Sequence, residues 1–279
     1  MMNQKETDYW LNILYKICDK TQEAVKNARD DPHINEIIKI GADGTPTHKI
    51  DDIAEKAAIS VLESSNESLI LISEEIGEIK IGNDDPKIVI ILDPLDGTTN
   101  ALKKIPCYGI SIAVAKIEDK YNVEDLTLND INIGFVKNFP TGDIYHAIKG
   151  NGSFKNGKSM NLSKIKKLEE ATVGAYIYRA KLEQIDELCK IVRRMRILGS
   201  IAVELCYVAD GTYDSFIDGR NIVRILDIAA AQLIITETGG IVTDKSSCKL
   251  KSNLKLSEKT SIVASANEHV HDEIVKLIN

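Results

Sequence analysis

The 279-residue sequence lacks the features of a membrane, disulfide-rich or zinc-binding protein. No apolar run approaches the roughly 20 residues that a membrane-spanning helix needs, and the first residues are polar, unlike a signal peptide. The five cysteines lie far apart and form no Cys-x-x-Cys pair, which argues against a zinc site built on cysteine. From these absences we expect a cytoplasmic protein with reduced thiols and no membrane partner.

Aromatic residues are also scarce, and acidic residues outnumber basic ones. Aromatic side chains make up 5% of the chain, and the formal net charge is −7. The acidic balance argues against nonspecific binding to nucleic acid or to an anionic membrane. An anionic substrate is not excluded, because divalent cations held by clustered carboxylates would make the local potential positive.

Apolar periodicity divides the chain into helices and strands without an internal repeat or a long linker. In the first part, helices are predicted at 8–28 and 51–62 and strands at 69–73, 88–92, 109–115, 132–136 and 144–147. In the second part, strands are predicted at 172–175, 194–198, 213–217, 240–243 and 261–264 and helices at 182–192, 200–209, 227–237 and 269–278. We therefore expect an α+β half, residues 1–165, and an α/β half, residues 166–279, in one compact body.

The segment from Ile88 to Asn100 carries the strongest chemical signal. A Val- and Ile-rich strand ends in the octapeptide Asp93-Pro94-Leu95-Asp96-Gly97-Thr98-Thr99-Asn100, in which proline and glycine turn the chain. Two carboxylates at the end of a strand offer hard oxygen ligands to Mg²⁺ beside hydroxyls that can contact phosphate. For the motif in isolation, an Asp-rich turn without chemistry is the alternative interpretation.

Three further acidic signals stand at the ends of other predicted elements. Glu74 and Glu75 follow the strand at 69–73, and Asp51 and Asp227 begin helices. Helix capping would by itself explain the two aspartates. Their combination with the strand-end pair favours metal binding, since two or three Mg²⁺ ions that share phosphate oxygens need about this many acidic ligands.

Taken together, these motifs resemble those of the inositol monophosphatase and fructose-1,6-bisphosphatase superfamily of metal-dependent, lithium-sensitive phosphatases. The matching segments span nearly the whole chain: Gly44-Thr45-Pro46-Thr47-x-x-Ile50-Asp51, Ser73-Glu74-Glu75, the octapeptide from Asp93, Leu198-Gly199-Ser200, Leu226-Asp227-Ile228-Ala229-Ala230, and Glu237-x-Gly239-Gly240. The segments from Gly199 and from Asp218 are most similar to the archaeal group that acts on both fructose 1,6-bisphosphate and inositol 1-phosphate. The resemblance implies an αβαβα layered sandwich, the sugar phosphatase fold, and a homodimer.

The resemblance also implies two or three Mg²⁺ ions in each active site. The implied ligands are Glu74, Asp93 and the carbonyl of Leu95 for one ion, and Asp93, Asp96 and Asp227 for a second. The sequence of the loop at 39–51 differs from that of the longer animal enzymes, so whether a third ion binds is left open. Asp43 is a possible ligand or water anchor for that ion, and a turn-forming role is the alternative.

Catalytic roles follow from the same resemblance. Thr98 and Asp51 match the pair that activates the attacking water, and Asp96 matches the residue beside the leaving group. The backbone amides of Gly97 and Thr98 would bind phosphate oxygens.

Substrate contacts are implied at a second group of residues. Gly199, Ser200, Asp218 and Arg220 align with segments that contact the sugar or polyol in relatives. Arg196 and Arg220, together with a group around Tyr176, are candidates for holding a second phosphate, because the arginine fork binds phosphate bidentately. Solvated or surface-paired arginines are the alternative.

We therefore expect a Mg²⁺-dependent phosphomonoester hydrolase that releases phosphate from fructose 1,6-bisphosphate and inositol 1-phosphate, with a place in carbohydrate metabolism and gluconeogenesis. Two alternatives stay open: a phosphatase of adenosine 3′,5′-bisphosphate, and a regulatory protein that binds RNA or the transcription machinery. The first would need a base-stacking surface, and no aromatic cluster stands beside the octapeptide in the sequence. The second would need a basic stripe, which the acidic composition does not provide.

Overall fold

The computed structural model describes residues 2–117, 123–179 and 182–279. A short hairpin lies between the first two helices, and an eight-stranded mixed sheet follows in the order β10-β9-β8-β7-β6-β5-β3-β4. These elements are α1 (Gln4–Ala28), β1 (Ile37–Ile40), β2 (Pro46–His48), α2 (Lys49–Glu63), β3 (Leu69–Ser73), β4 (Gly77–Ile81), β5 (Ile88–Asp96), α3 (Thr98–Lys103), β6 (Gly109–Lys116), β7 (Ile131–Asn138), β8 (Ile144–Ile148), β9 (Gly152–Lys155) and β10 (Lys158–Ser159).

A five-stranded sheet, in the order β12-β11-β13-β15-β14, forms the second part of the molecule. Its elements are β11 (Thr172–Ala175), α4 (Leu182–Ile191), β12 (Arg194–Arg196), α5 (Ile201–Ala209), β13 (Ser215–Arg224), α6 (Ile225–Thr238), β14 (Ile241–Thr243), β15 (Lys259–Ser265) and α7 (Glu268–Ile278). The change of sheet falls between Ser159 and Thr172, and the division into halves at residue 165 stays a prediction. Among the described residues, no helix is long and apolar enough to cross a membrane.

Three buried clusters arrange these elements as five layers. One cluster packs α1 and α2 on one face of the large sheet. A second places α5 and α6 between the other face of that sheet and the small sheet, and a third joins α4 and α7 to the outer face of the small sheet. The αβαβα sandwich predicted from the sequence is confirmed.

Most predicted elements are present, and the differences have local causes. β5 does not stop at Leu92 but continues through Pro94 to Asp96, where its register with β6 shifts. A proline is tolerated at such an irregularity because the ladder bond that it cannot donate is already interrupted. The hairpin of β1 and β2 replaces part of the expected loop; its strands are short, and β1 is exposed throughout, so apolar alternation did not reveal it.

Gly134 on β7 lets α6 approach the large sheet. A Cβ at this position would lie 2.4 Å from the carbonyl oxygen of Ala230 in α6. We expect Gly134→Ala to destabilise the fold by about 2–3 kcal/mol, because a backbone carbonyl cannot move aside as a flexible side chain can. Urea unfolding would measure this change. Gly219→Ala, where a Cβ would enter open space, is the matched control; an equally small loss for both variants would contradict the close packing.

Candidate active site

Carboxylates from three elements converge on one side of the large sheet. β3 and β5 are parallel neighbours, with Ser73 opposite Leu92, so Glu74 and Asp93, the next residues along, lie at the same end of the two strands. Asp227 lies in the first turn of α6. Oxygens of Asp93, Asp96 and Asp227 all lie within 4.8 Å of one another, and the three residues are buried.

Asp93 lies at the centre of this cluster and has no exposed surface. Its Oδ1 accepts a hydrogen bond from the backbone N–H of Leu95 at 3.0 Å. Its Oδ2 is buried without a hydrogen-bond partner among the described residues. A buried carboxylate oxygen left in this way is costly, and a divalent cation would satisfy it. The donor set, all carboxylate oxygens, fits Mg²⁺.

Asp96 is held in place by the start of α5. Its oxygens accept hydrogen bonds from the Ser200 hydroxyl at 2.5 Å, from the Ala202 N–H at 2.8 Å and from the Ile201 N–H at 3.2 Å. A carboxylate at a helix N-terminus is stabilised by the unpaired amides there. The Ser200 hydroxyl therefore orients Asp96, and its predicted contact with substrate stays a prediction.

Burial and mutual repulsion raise the pKa of these carboxyl groups. The pKa of Glu74 is raised to about 8, chiefly by burial and against the attraction of Arg224. The pKa of Asp96 is raised to about 7 by burial and by Asp227, and that of Asp93 is also raised, by burial and by Glu74. These groups must lose their protons to ligate a cation, so metal binding should release protons.

The raised pKa values predict an unusual dependence of stability on pH. An acid whose pKa is higher in the folded protein than in the unfolded chain stabilises the fold while protonated, and this contribution disappears as pH rises through the folded-state pKa. Without metal, the melting temperature should therefore fall by ~5 °C or more between about pH 6 and pH 8.5. Added Mg²⁺ should reverse the loss. Thermal unfolding in EDTA and in Mg²⁺ tests this, and a flat or rising curve in EDTA would contradict it.

Thr98 and Asp51, which the family resemblance pairs as the residues that activate water, are in contact. The Thr98 hydroxyl donates to Asp51 Oδ1 at 2.6 Å, and Asp51 Oδ2 accepts from the His48 N–H at 3.0 Å. Asp51 is buried at the third residue of α2, and burial raises its pKa. The same Thr98 hydroxyl lies 3.2 Å from the Leu95 carbonyl oxygen. The pair therefore stands beside the carboxylate cluster.

Arg224, the last residue of β13, is a member of the site that the sequence reasoning missed. Its Nε and Nη2 donate to both oxygens of Asp227, at 3.2 and 2.7 Å. Its Nη1 donates to Asp43 at 2.9 Å and also to Glu74. Burial opposes its charge, but Asp227 and Glu74 outweigh burial and raise the pKa of Arg224. Its position three residues before Asp227 was the one sequence feature that could have indicated a contact with this carboxylate.

A second buried acidic group fixes the turn after β3. Glu55 of α2 accepts hydrogen bonds from the Ser73 hydroxyl at 2.6 Å and from the N–H groups of Glu75 and Ile76, both at 3.1 Å. The Thr47 hydroxyl donates to Glu75, whose pKa is raised to about 7 chiefly by burial. Glu55, four residues after Asp51 on the same helix, was also missed. It holds the chain that carries Glu74.

Gly97 and Gly199 bring two of the predicted segments together. Both have positive φ, +92° and +99°, which favours glycine. A Cβ on Gly97 would lie 3.3 Å from the Gly199 carbonyl oxygen. The Gly199 N–H donates to Glu204 at 3.0 Å, and Asn100 Nδ2 donates to the neighbouring Leu198 carbonyl at 2.6 Å. The turn at Gly199 is therefore fixed beside the octapeptide.

Asp218 and Arg220 pair with each other. Arg220 Nε and Nη2 donate to the two oxygens of Asp218, at 2.9 and 2.6 Å, and Asp218 has no exposed surface. The guanidinium also lies 4.2 Å from the ring centre of exposed Tyr178 and 5.4 Å from that of Tyr176. The predicted contact of Asp218 with substrate hydroxyls stays untested, since both its oxygens are engaged by Arg220.

Arg196 lies apart from this pair on the edge strand β12. It is exposed, and its Nη1 donates to the Met195 carbonyl oxygen at 2.9 Å. Its predicted contact with a second phosphate stays a prediction.

A five-layered fold with buried carboxylates where β3, β5 and α6 meet is typical of the metal-dependent sugar and inositol phosphatases. The chain belongs to the inositol monophosphatase family, whose model matches residues 6–279, and it is a phosphatase. The family is metal-dependent, generally with Mg²⁺.

Individual relatives agree with this assignment. The chain is 44% identical to a fructose-1,6-bisphosphatase/inositol-1-monophosphatase of Methanothermobacter thermautotrophicus over 99% of both chains. It is 42% identical to a bifunctional NADP phosphatase/NAD kinase of Methanocaldococcus jannaschii, over 95% of this chain and 50% of that longer protein. A solved structure of an inositol monophosphatase-fructose 1,6-bisphosphatase superimposes with a TM-score of 0.82 at 28% identity, covering 96% of this chain and 99% of the other.

Proposed function

We propose that the protein is a Mg²⁺-dependent phosphomonoester hydrolase that acts on small phosphorylated sugars and polyols. The observation that carries this proposal is the orphaned Oδ2 of Asp93 within the cluster of Asp93, Asp96 and Asp227. The hydrogen-bonded pair of Thr98 and Asp51 beside this cluster supports it. Such a combination offers cation ligands and a proton acceptor within one small volume.

Two or three Mg²⁺ ions would be held by Glu74, Asp93, the Leu95 carbonyl, Asp96 and Asp227. Bound there, they would supply Lewis acidity that polarises the phosphate and the attacking water. Because its proton is committed to Asp51, the Thr98 hydroxyl oxygen can accept a hydrogen bond from the attacking water. Asp51 then receives a proton through Thr98 as the water attacks phosphorus in line.

Asp96 and the backbone that follows it would complete the reaction. A water held beside Asp96 would pass a proton toward the departing alkoxide, since Asp96 itself would be ionised as a metal ligand. The N–H groups of Gly97 and Thr98 would contact phosphate oxygens. The three hydrogen bonds from Ser200, Ile201 and Ala202 keep the Asp96 carboxylate from turning away.

Fructose 1,6-bisphosphate and inositol 1-phosphate are the substrates we propose first, and two observations support them. Relatives at up to 44% identity carry both activities in their names. The turn at Gly199 and Ser200 adjoins Asp96, where the leaving group would lie. Arg220 and Arg196 would contact the remainder of the substrate, and Asp218 would orient Arg220. Arg220, with Tyr178 beneath it, would bind a second phosphate.

A second candidate substrate is the 2′-phosphate of NADP. The relative at 42% identity is named an NADP phosphatase joined to an NAD kinase. The group of Tyr176, Tyr178 and Arg220, in which the Tyr178 ring is exposed, could support a base by stacking. These tyrosines are remote from the octapeptide in the chain, so the sequence did not indicate an aromatic cluster beside it.

Phosphate release with and without Mg²⁺ tests the proposal. Fructose 1,6-bisphosphate, inositol 1-phosphate, NADP and adenosine 3′,5′-bisphosphate should be compared under identical conditions. We expect Mg²⁺-dependent release from the first two, and a dominant rate on NADP would favour the second candidate. No release from any of the four would contradict the proposed function, and release that survives EDTA would contradict its metal dependence.

We also propose that the protein is a cytoplasmic homodimer, inhibited by lithium and acting in gluconeogenesis. The similarity to the archaeal bifunctional enzymes and the five unpaired cysteine thiols support these statements. Light scattering of the purified chain would test the dimer, and assays with LiCl would test the inhibition.

A further inference from the structure

We propose that Arg224 acts as a built-in cation among the metal ligands and that metal binding displaces it into the neighbouring cavity. This inference rests on the proposed function, because it concerns the loading of the same site. It assigns to Arg224 the role of a positioning residue that controls access of the metal.

The contacts of Arg224 coincide with the carboxylates proposed as ligands. The guanidinium donates hydrogen bonds to both oxygens of Asp227, to one oxygen of Glu74 and to one of Asp43. Its Nη2 lies 3.7 Å from Asp93 Oδ2, the oxygen without a hydrogen-bond partner. One planar cation therefore neutralises carboxylates from three separate segments of the chain.

A divalent cation and this guanidinium cannot share these ligands without strong repulsion. An ion bound by Asp93 and Asp227 would lie close to the nitrogens that already contact the same oxygens. Charges in a buried site are screened much less than charges in water, so this repulsion is strong. Binding of the ion therefore favours an arrangement in which the guanidinium has left Asp227.

The molecule provides a place for the displaced side chain. A cavity of about 620 Å³ adjoins the cluster and is lined by Arg224 and Asp43 together with Glu78 and Glu124. Asp43 lines this cavity and already bonds Arg224, so one ion pair can persist during the movement. Lys255 and Lys259 also line the cavity, and Lys255 lies 3.8 Å from Glu124. Because Lys255 already pairs with Glu124, Asp43 and Glu78 are the cavity carboxylates that would bind the displaced Arg224.

Metal affinity of Arg224→Met tests the proposal directly. Mn²⁺ is the probe, and its affinity is measured by calorimetry. Removing the competing cation should lower the dissociation constant of Mn²⁺ at least about tenfold. The metal-free variant should melt at a lower temperature, because its carboxylates lose their counter-charge, and saturating Mn²⁺ should restore most of that loss.

Lys259→Met is the matched control, since Lys259 is the strand partner of Arg224, lines the same cavity and has no ion pair among the described residues. Its Mn²⁺ affinity should stay within about twofold of wild type. Arg224→Lys keeps the charge and provides a folded variant if Arg224→Met does not fold; its Mn²⁺ affinity should not exceed that of wild type by more than about threefold.

The possible outcomes separate this inference from the proposed function. Failure of the wild-type protein to bind Mn²⁺ would overturn both. Binding of Mn²⁺ with equal affinity by wild type and Arg224→Met, or tightening by Arg224→Lys to the level expected for Arg224→Met, would overturn only the role of Arg224. A crystal structure with Mn²⁺ in which Arg224 still bonds Asp227 would do the same.

Discussion

Asp93→Asn should lower kcat for phosphate release about 10³-fold or more and weaken Mn²⁺ binding strongly, while the protein stays folded. The substitution keeps the size of the side chain, and an asparagine Oδ1 can still accept the hydrogen bond from the Leu95 N–H. It changes only the oxygen that has no hydrogen-bond partner among the described residues, which becomes an uncharged NH₂ group. Loss of a carboxylate that would ligate the proposed ions should remove several kcal/mol of electrostatic stabilisation from the transition state.

Phosphate release at saturating Mg²⁺, together with calorimetry, measures this prediction. Asp52→Asn is the control, because Asp52 is a carboxylate of α2 that pairs with Lys39 and Lys56 rather than with the cluster. It should retain wild-type kcat and Mn²⁺ affinity. Wild-type activity in Asp93→Asn would mean that the carboxylate cluster does not hold the catalytic metal.

Thr98→Val should lower kcat about 10²-fold and leave Mn²⁺ affinity within about threefold of wild type. Valine has nearly the shape of threonine but can neither accept a hydrogen bond from the water nor pass a proton to Asp51. Because Thr98 donates to Asp51 at 2.6 Å and lends no carboxylate to the cluster, catalysis and metal binding should separate.

Two further variants make this separation decisive. Thr99→Val alters the neighbouring, exposed hydroxyl and should leave kcat unchanged. Thr98→Ser restores the hydroxyl and should recover most of the lost activity. An equal loss in Thr98→Val and Thr99→Val, or a loss of metal binding in Thr98→Val, would contradict the proposed role of the hydroxyl.

The sequence predicted well those features that are encoded locally. β3 has its predicted bounds because an apolar run is followed at once by two carboxylates, and the αβαβα layering was anticipated from the resemblance. The pairing of Asp51 with Thr98 was also anticipated, although 47 residues separate them. It came from matching motifs, since no periodicity connects two residues so far apart.

Contacts between remote segments could not be predicted in this way. Arg224 is 150 residues from Glu74 and 181 from Asp43, and only the folded topology brings the three together. A basic residue three positions before Asp227 is a weak signal, because the local pattern is the same for a guanidinium that enters a carboxylate cluster and for one that points to solvent. Likewise, the hydrogen bond from the Ser200 hydroxyl to Asp96, across 104 residues, was not anticipated. The predicted contact of Ser200 with substrate stays a prediction.

Anomalous diffraction from crystals soaked in Mn²⁺ would locate the metal ions that the proposed phosphatase needs. The proposed function predicts ion peaks within ligand distance of Asp93, with Asp96 and Asp227 on one side and Glu74 and the Leu95 carbonyl on the other. Peaks confined to surface carboxylates, or an unbound Asp93 at saturating Mn²⁺, would contradict it.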